Sequence, residues 1–238
     1  HVEVVRSLHD GLKENNIEFN INPKYDENIN ENIIVLSGAN ELKKAINLKK
    51  KGIVKKILAG PNIVVMPSDY NGIINNPYID KVIVPCEWVK NAYIKQSNIL
   101  VNKIEIWQAG IDSKFWINKK FSKSSRILIY FKNSYLKKKY LKPISKILKN
   151  NKLNFHVISY GNYNKRDFRT KIHSSSCVIF ITTTESQSIA QFEIWASGLP
   201  IIVNYVNTFK HNKNIYTAYS SPFLNKFNGI YFESIDEK

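Results

Sequence analysis

The stretch Val178-Ile-Phe-Ile-Thr-Thr-Thr-Glu185-Ser-Gln-Ser-Ile189-Ala-Gln-Phe-Glu193-Ile-Trp-Ala-Ser-Gly198-Leu-Pro200-Ile-Ile-Val203 decides how the chain is to be read. A short apolar run at 178–181 predicts a buried strand, and a polar turn follows at 182–188. The residues from Ile189 to Ser197 carry a helical pattern. Gly-Leu-Pro then stops the helix, and Pro200 to Val203 predicts a second buried strand. Glu185 falls at the turn and Glu193 on one face of the helix. A strand-helix-strand unit of this kind belongs to a parallel sheet, with its acidic groups near the carboxyl end of the strands, where ligands of such sheets bind.

Working outward, apolar β-branched runs alternate with helix-period segments almost throughout. Before the central unit, helices are expected at 2–14, 40–50 and 87–96, and strands at 18–21, 32–36, 54–59, 63–66, 81–84 and 103–107. After Ala109-Gly-Ile-Asp112 the residues 113–125 are polar, lysine-rich and aperiodic, and a domain boundary is placed here. A second alternating series follows: strand 126–131, helix 136–150 with Pro143 in its first turn or at a kink, strand 155–159, helix 165–174, the central unit, and strand 229–232. Strands alternating with helices imply right-handed crossovers and parallel sheets. The expectation is α/β architecture: two Rossmann-like, doubly wound domains, 1–112 and 113–238, facing a cleft.

Composition narrows the classes. The chain has 238 residues, 43% of them hydrophobic, which suits a folded core and argues against disorder. No apolar run approaches the roughly 20 residues that span a bilayer, and no signal segment opens the chain, so a cytoplasmic protein is expected. Cys86 and Cys177 have no partner motif and read as buried thiols. No Cys or His pair has metal-ligand spacing, and His9, His156, His173 and His211 stand in no triad context. The net charge of +16 would draw the chain to anionic surfaces, nucleotides or nucleic acid without choosing among them.

Three segments resemble the retaining glycosyltransferases of the GT-B fold, the glycosyl transferases group 1 family. Val82 to Lys90, VIVPCEWVK, is similar to that family's strand, Pro-Ser-Glu-Trp turn and helix. Lys103 to Phe115, KIEIWQAGIDSKF, resembles its strand and Gly-(Ile/Val)-Asp…Phe element. Glu185 and Glu193, followed by Trp195-Ala-Ser-Gly-Leu-Pro200, resemble its Glu-x7-Glu unit. The chain departs from the pattern in having Glu185-Ser-Gln-Ser188 in place of Glu-Gly-x-Gly. The first strand with its glycine-rich loop and the crossing C-terminal helices are also missing, so the fold is expected to be shortened at both ends.

The resemblance implies transfer of a sugar from a nucleotide-sugar donor to an acceptor hydroxyl on a glycan, lipid or polysaccharide, with no other cofactor and no metal. It implies that Glu185 contacts sugar hydroxyls and Glu193 the ribose. Lys132, directly after a strand, is the candidate cation for the leaving phosphate, with a second among Lys137 to Lys139. The turn Ser186, Gln187, Ser188 and Ile189 opens a helix, and its free N–H groups suit a pyrophosphate; the serine hydroxyls either donate to it or cap the helix. Tyr160 and Gly161 fall where the family contacts the nucleobase, against the alternative of a plain β-turn. Two rivals remain: a glycosyltransferase-like domain that binds without turnover or needs a partner, and a basic nucleic-acid module. The lysines from Lys137 to Lys152 read instead as the solvated face of an amphipathic helix, suited also to peripheral contact with anionic lipid.

Overall fold

The computed structural model describes residues 2–23, 29–118 and 126–235, and within these the chain divides into two compact units, 1–110 and 111–238. The part of the expected linker at 119–125 lies outside the described residues.

In the first unit, helix α1 (Val2–Glu14) precedes β1 (Asn32–Ser37), α2 (Ala39–Lys50), β2 (Lys56–Asn62), the short α3 (Asp69–Gly72), β3 (Lys81–Val84), α4 (Glu87–Gln96) and β4 (Ile104–Ile106). The four strands form one parallel sheet in sequence order. Two expected strands are absent. Residues 18–21 pair with nothing in the sheet, and Phe19 instead sets its ring edge-on to His9 at 5.3 Å. Residues 63–66 are bends: β2 runs on to Asn62, after which Ile63, Val64 and Met66 are buried without a ladder. The apolar pattern there reported burial rather than pairing. Asp80 ties the amino edge of the sheet together by accepting from Lys49 Nζ and, at 2.7 Å, from the Ile57 N–H. Burial works to raise its carboxyl, but the Lys49 and Ile57 hydrogen bonds and the charges of Lys49 and Lys103 hold it below the ordinary value.

The second unit opens with α5 (Ser113–Trp116), inside the segment expected to be an aperiodic linker. Asp112 caps it, its carboxylate accepting from the Phe115 N–H at 3.0 Å. Trp116 is fully buried and belongs to the core of the unit. Then follow β5 (Ile127–Phe131), α6 (Ser134–Asn150), β6 (Phe155–Ser159), α7 (Lys165–His173), β7 (Cys177–Ile181), α8 (Ile189–Ala196), β8 (Ile201–Asn204), the hairpin β9 (Thr208–His211) and β10 (Asn214–Thr217), and β11 (Gly229–Phe232). Because α6 starts at Ser134, Pro143 lies well inside it and not in a first turn; the helix continues through it.

The five-stranded sheet has the order β11-β8-β7-β5-β6, and every pair is parallel. Its residues alternate between two cores. Leu128, Tyr130, Val178 and Phe180 point to one face with Phe168 of α7 and Ile194 of α8. Ile127, Ile129, Phe131, Ile179 and Ile181 point to the other with Leu136, Ile144 and Leu148 of α6. Helices on opposite faces follow from the strand order. The chain leaves β5 toward β6 on one side, then returns past β5 to β7 on the other, and right-handed crossovers in opposite directions place their helices on opposite faces. The point of reversal lies between the carboxyl ends of β5 and β7.

Candidate functional site

The residues at that reversal are Lys132, which follows β5, and the turn after β7. The Lys132 N–H extends the ladder to the Ile181 carbonyl at 2.9 Å, so its side chain starts from a fixed point on the sheet edge. Its Nζ donates to Glu185 Oε2 at 2.5 Å, while Thr182 Oγ1 donates to Glu185 Oε1 at 2.7 Å. Both carboxylate oxygens are thereby engaged. Glu185 is 3% exposed and the lysine side chain 37%, so a nearly buried anion meets a cation that still reaches solvent. Taking a carboxylate out of water is costly unless it is paired and hydrogen-bonded, and here it is both.

The turn is anchored by side chains that the sequence reading passed over. Asn204, at the end of β8, accepts from the Thr182 N–H at 2.9 Å and donates to the Thr182 carbonyl at 2.8 Å, a reciprocal clamp across the carboxyl ends of two strands. The Glu185 N–H donates to the Tyr219 carbonyl at 2.8 Å. Gln191, fully buried in α8, donates to the Ser220 carbonyl at 2.9 Å and accepts from Ser221 Oγ at 2.7 Å. A buried network satisfied at this many points holds one geometry, because each lost bond leaves a polar group stranded. A buried glutamine within a helix was legible from the apolar neighbours of Gln191. The contribution of Asn204 and Ser220 was not, since it depends on strands far apart in sequence.

Ser188 starts α8 with φ +52° and is 2% exposed. Its carbonyl takes the Gln191 and Phe192 N–H groups, but its hydroxyl makes no cap and has no hydrogen-bond partner among the described residues. The capping role expected as the alternative for this serine is therefore not played. Ser186, Gln187 and Ile189 are half-buried in the same turn. Gly198 closes the helix at φ +78°, with its own N–H bonded to the Trp195 carbonyl and the Leu199 N–H to that of Ile194. This is the physical content of the Gly-Leu-Pro stop.

Glu193, about one turn along α8, is 8% exposed. It is not an ordinary surface residue. Its negative charge acts on two tyrosines whose hydroxyls meet at 3.0 Å, Tyr130 of β5 and Tyr163. Burial, the neighbouring hydroxyl and the two glutamates push the Tyr130 phenol far up, and burial and Glu193 push Tyr163 to about 12, so both stay protonated hydrogen-bond donors. Tyr163 packs against the core with its ring centroid 4.8 Å from that of Phe168, whereas Tyr160, expected near a nucleobase, is 64% exposed. Tyr160 donates its N–H to the Phe131 carbonyl at 2.8 Å, and Gly161, at φ +83° with open space where a Cβ would stand, turns the chain after β6. Lys137 reaches Ser159 Oγ at 3.1 Å. Lys132, Glu185, Tyr160 and Gly161 thus share one edge of one sheet.

Elsewhere the thiols are unremarkable: burial lifts Cys86 to about 12 and raises Cys177. His173 Nε2 donates to the Trp116 carbonyl at 2.8 Å, and His156 meets Arg126 at the opposite edge of the sheet. Among the described residues no group of three or more His, Cys, Asp or Glu comes together, and no helix is long and apolar enough to cross a membrane.

No protein-family model and no curated protein matches this chain. Among solved structures, the chain is similar to the catalytic domain of starch synthase IV from Arabidopsis thaliana bound to ADP and acarbose, with a TM-score of 0.52 and 12% identity. The match covers 98% of this chain and 66% of that one. The likeness is one of fold: α/β, with two Rossmann-like parallel-sheet units of the GT-B type.

Proposed function

We propose that this chain is a glycosyltransferase that moves a sugar from a nucleotide-sugar donor to an acceptor hydroxyl of a glycan, lipid or cell-surface polysaccharide. We read the transfer as metal-independent and retaining; the stereochemistry rests on the resemblance of the Glu-x7-Glu unit. The observation that carries the proposal is the contact of Lys132 with Glu185 at the strand-order reversal of the second unit, where open α/β sheets take their ligands. The similar starch synthase holds ADP, and a nucleoside diphosphate is the leaving group that such a transfer releases.

The reaction breaks the bond between the anomeric carbon and the phosphate oxygen and forms one to the acceptor oxygen, whose proton passes to the departing phosphate. Charge grows on the diphosphate as it leaves. A fixed cation and the amino end of α8 neutralise that charge best when they are already in position. In this reading the donor takes over the two halves of the ion pair, the phosphate drawing Lys132 and the sugar hydroxyls drawing Glu185. The buried Ser188 hydroxyl supplies a further donor to the phosphate, Glu193 accepts from the ribose, and Tyr160 with Gly161 borders the base.

The ion pair also supports a rival in which the domain binds a donor without turning it over, the two groups remaining on each other. Thermal-shift screening of UDP-, GDP- and ADP-sugars identifies the donor, and donor hydrolysis is then measured beside binding. Transfer that Glu185→Ala abolishes while the fold survives is the expected result. Binding with no turnover favours the rival, and undiminished transfer by Glu185→Ala removes that residue from the mechanism.

A further inference from the structure

The sequence from Ser113 to Arg166 contains no aspartate or glutamate, although the rest of the chain contains all 19. Helix α6 lies in the middle of this acid-free run. Its core face is set by Leu136, Ile144 and Leu148, all buried. Lys138, Lys139, Lys142, Lys146 and Lys149 are exposed, as is Tyr135 at 57%. At about 100° per residue these six side chains fall within an arc of roughly 100°, opposite the buried leucines and isoleucine. Lys137 departs from the pattern and reaches Ser159. Phe232 of β11 sets its ring edge-on to Tyr140, which lies outside the lysine arc.

We propose that the exposed lysine stripe of α6 is an electrostatic docking surface for an anionic lipid bilayer, independent of the sugar-transfer reading. The stripe runs from Tyr135 to Lys149 on a convex helix face, about 20 Å at 1.5 Å per residue, and a convex face of that length meets a plane of headgroups. Lysines act as point charges toward lipid phosphates without needing a fixed fork geometry. Tyr135, with an apolar ring and a polar tip, suits the headgroup layer at one end of the stripe. Single-stranded nucleic acid is the less suited partner, because such binding wants a groove with successive stacking rings, and the stripe offers one ring on a convex surface.

The test is sedimentation of the full chain with vesicles of neutral phosphatidylcholine alone or mixed with phosphatidylglycerol. The wild type is compared with the quadruple variant K138Q/K142Q/K146Q/K149Q. A control of equal charge, K43Q/K50Q/K51Q/K56Q, removes exposed lysines of the first unit. Near an anionic surface each lysine contributes roughly fivefold to partition. The stripe variant should therefore lose on the order of a hundredfold or more, the control less than about threefold, and wild-type binding should vanish in neutral vesicles and fall steeply with salt. A loss below tenfold in the stripe variant, or equal losses in both variants, overturns the proposal. Tighter stripe-dependent binding to duplex or single-stranded RNA than to the vesicles also overturns it and assigns the surface to nucleic acid. The salt series on the wild type decides the electrostatic claim even if the quadruple variant is poorly folded: binding that salt does not weaken sinks it.

Discussion

Glu185 is nearly buried and its two oxygens accept from Thr182 and Lys132, so each partner can be tested through stability as well as activity. Thr182→Val preserves shape and removes the donor to Oε1, and chemical denaturation should show a loss of about 1–3 kcal/mol, the cost of a stranded buried acceptor. Lys132→Ala should cost less than the roughly 3–5 kcal/mol of a wholly buried pair, because the lysine side chain is 37% exposed and water can take its place. Its effect on transfer should be far larger, on the order of a hundredfold or more, as for loss of one preorganised donor at a developing charge. A stability loss without that activity loss would reduce Lys132 to a structural partner of Glu185. His156 makes a separate prediction about pH. Burial, then the charges of Lys171 and Arg126, lowers its pKa from 6.5, so the folded state resists the imidazolium. Below 6.5 the unfolded chain binds the proton first; this residue's stabilisation is complete above that pH and is lost as pH falls through the lowered folded value. His156→Gln should flatten that acid limb of a stability–pH curve, and a limb of unchanged slope would refute it.

Among the elements, β2 shows how the backbone constrains sequence where periodicity is silent. Gly60 has φ +124°, and a Cβ built there would stand 2.0 Å from the Ile83 carbonyl oxygen of β3. Gly60→Ala must push apart two neighbouring strands, and we expect a lowered denaturation midpoint, with loss beyond the roughly 1 kcal/mol of an average point mutation. An unchanged midpoint would mean that the strand pair yields without cost. The same strand explains an error of reading: the apolar residues 63–66 were expected to pair, but β2 had already used its partners, and burial alone made them apolar. The longer elements of the second unit were legible because each has both a period and a stop. Strand β6 and strand β11 have the expected bounds, and α8 ends where Gly198 allows the left-handed turn. What escaped were elements too short for a period. Helix α5 hid in a lysine-rich stretch although Asp112 and Phe115 carry its cap, and the hairpin β9–β10 turns on Asn212 at φ +53° without a glycine to announce it. The candidate site divides in the same way. Glu185 and Lys132 could be picked out because each follows a predicted strand, whereas Asn204 reaches the turn from the end of β8 and Tyr219 and Ser220 from the loop after β10, and only the folded chain brings them there.

For the molecule as a whole, two units each with its own parallel sheet make the location of ligand binding a measurable question. The four tryptophans are divided between them, Trp88 and Trp107 in the first unit and Trp116 and Trp195 in the second. Trp116 is fully buried in the second unit's core, and Trp195 donates to the Asn228 carbonyl at 2.9 Å, so both report its packing. In a W88F/W107F variant the fluorescence transition belongs to the second unit alone; in W116F/W195F it belongs to the first. A nucleoside diphosphate that binds the folded chain at the reversal between β5 and β7 stabilises that unit by mass action, about 2.7 kcal/mol at a hundred times its dissociation constant. The transition of W88F/W107F should therefore rise with added nucleotide, and K132A in that background should abolish the rise, because the phosphate loses its fixed cation. A rise confined to W116F/W195F would move the nucleotide to the first sheet and break the link between the Lys132–Glu185 contact and the donor.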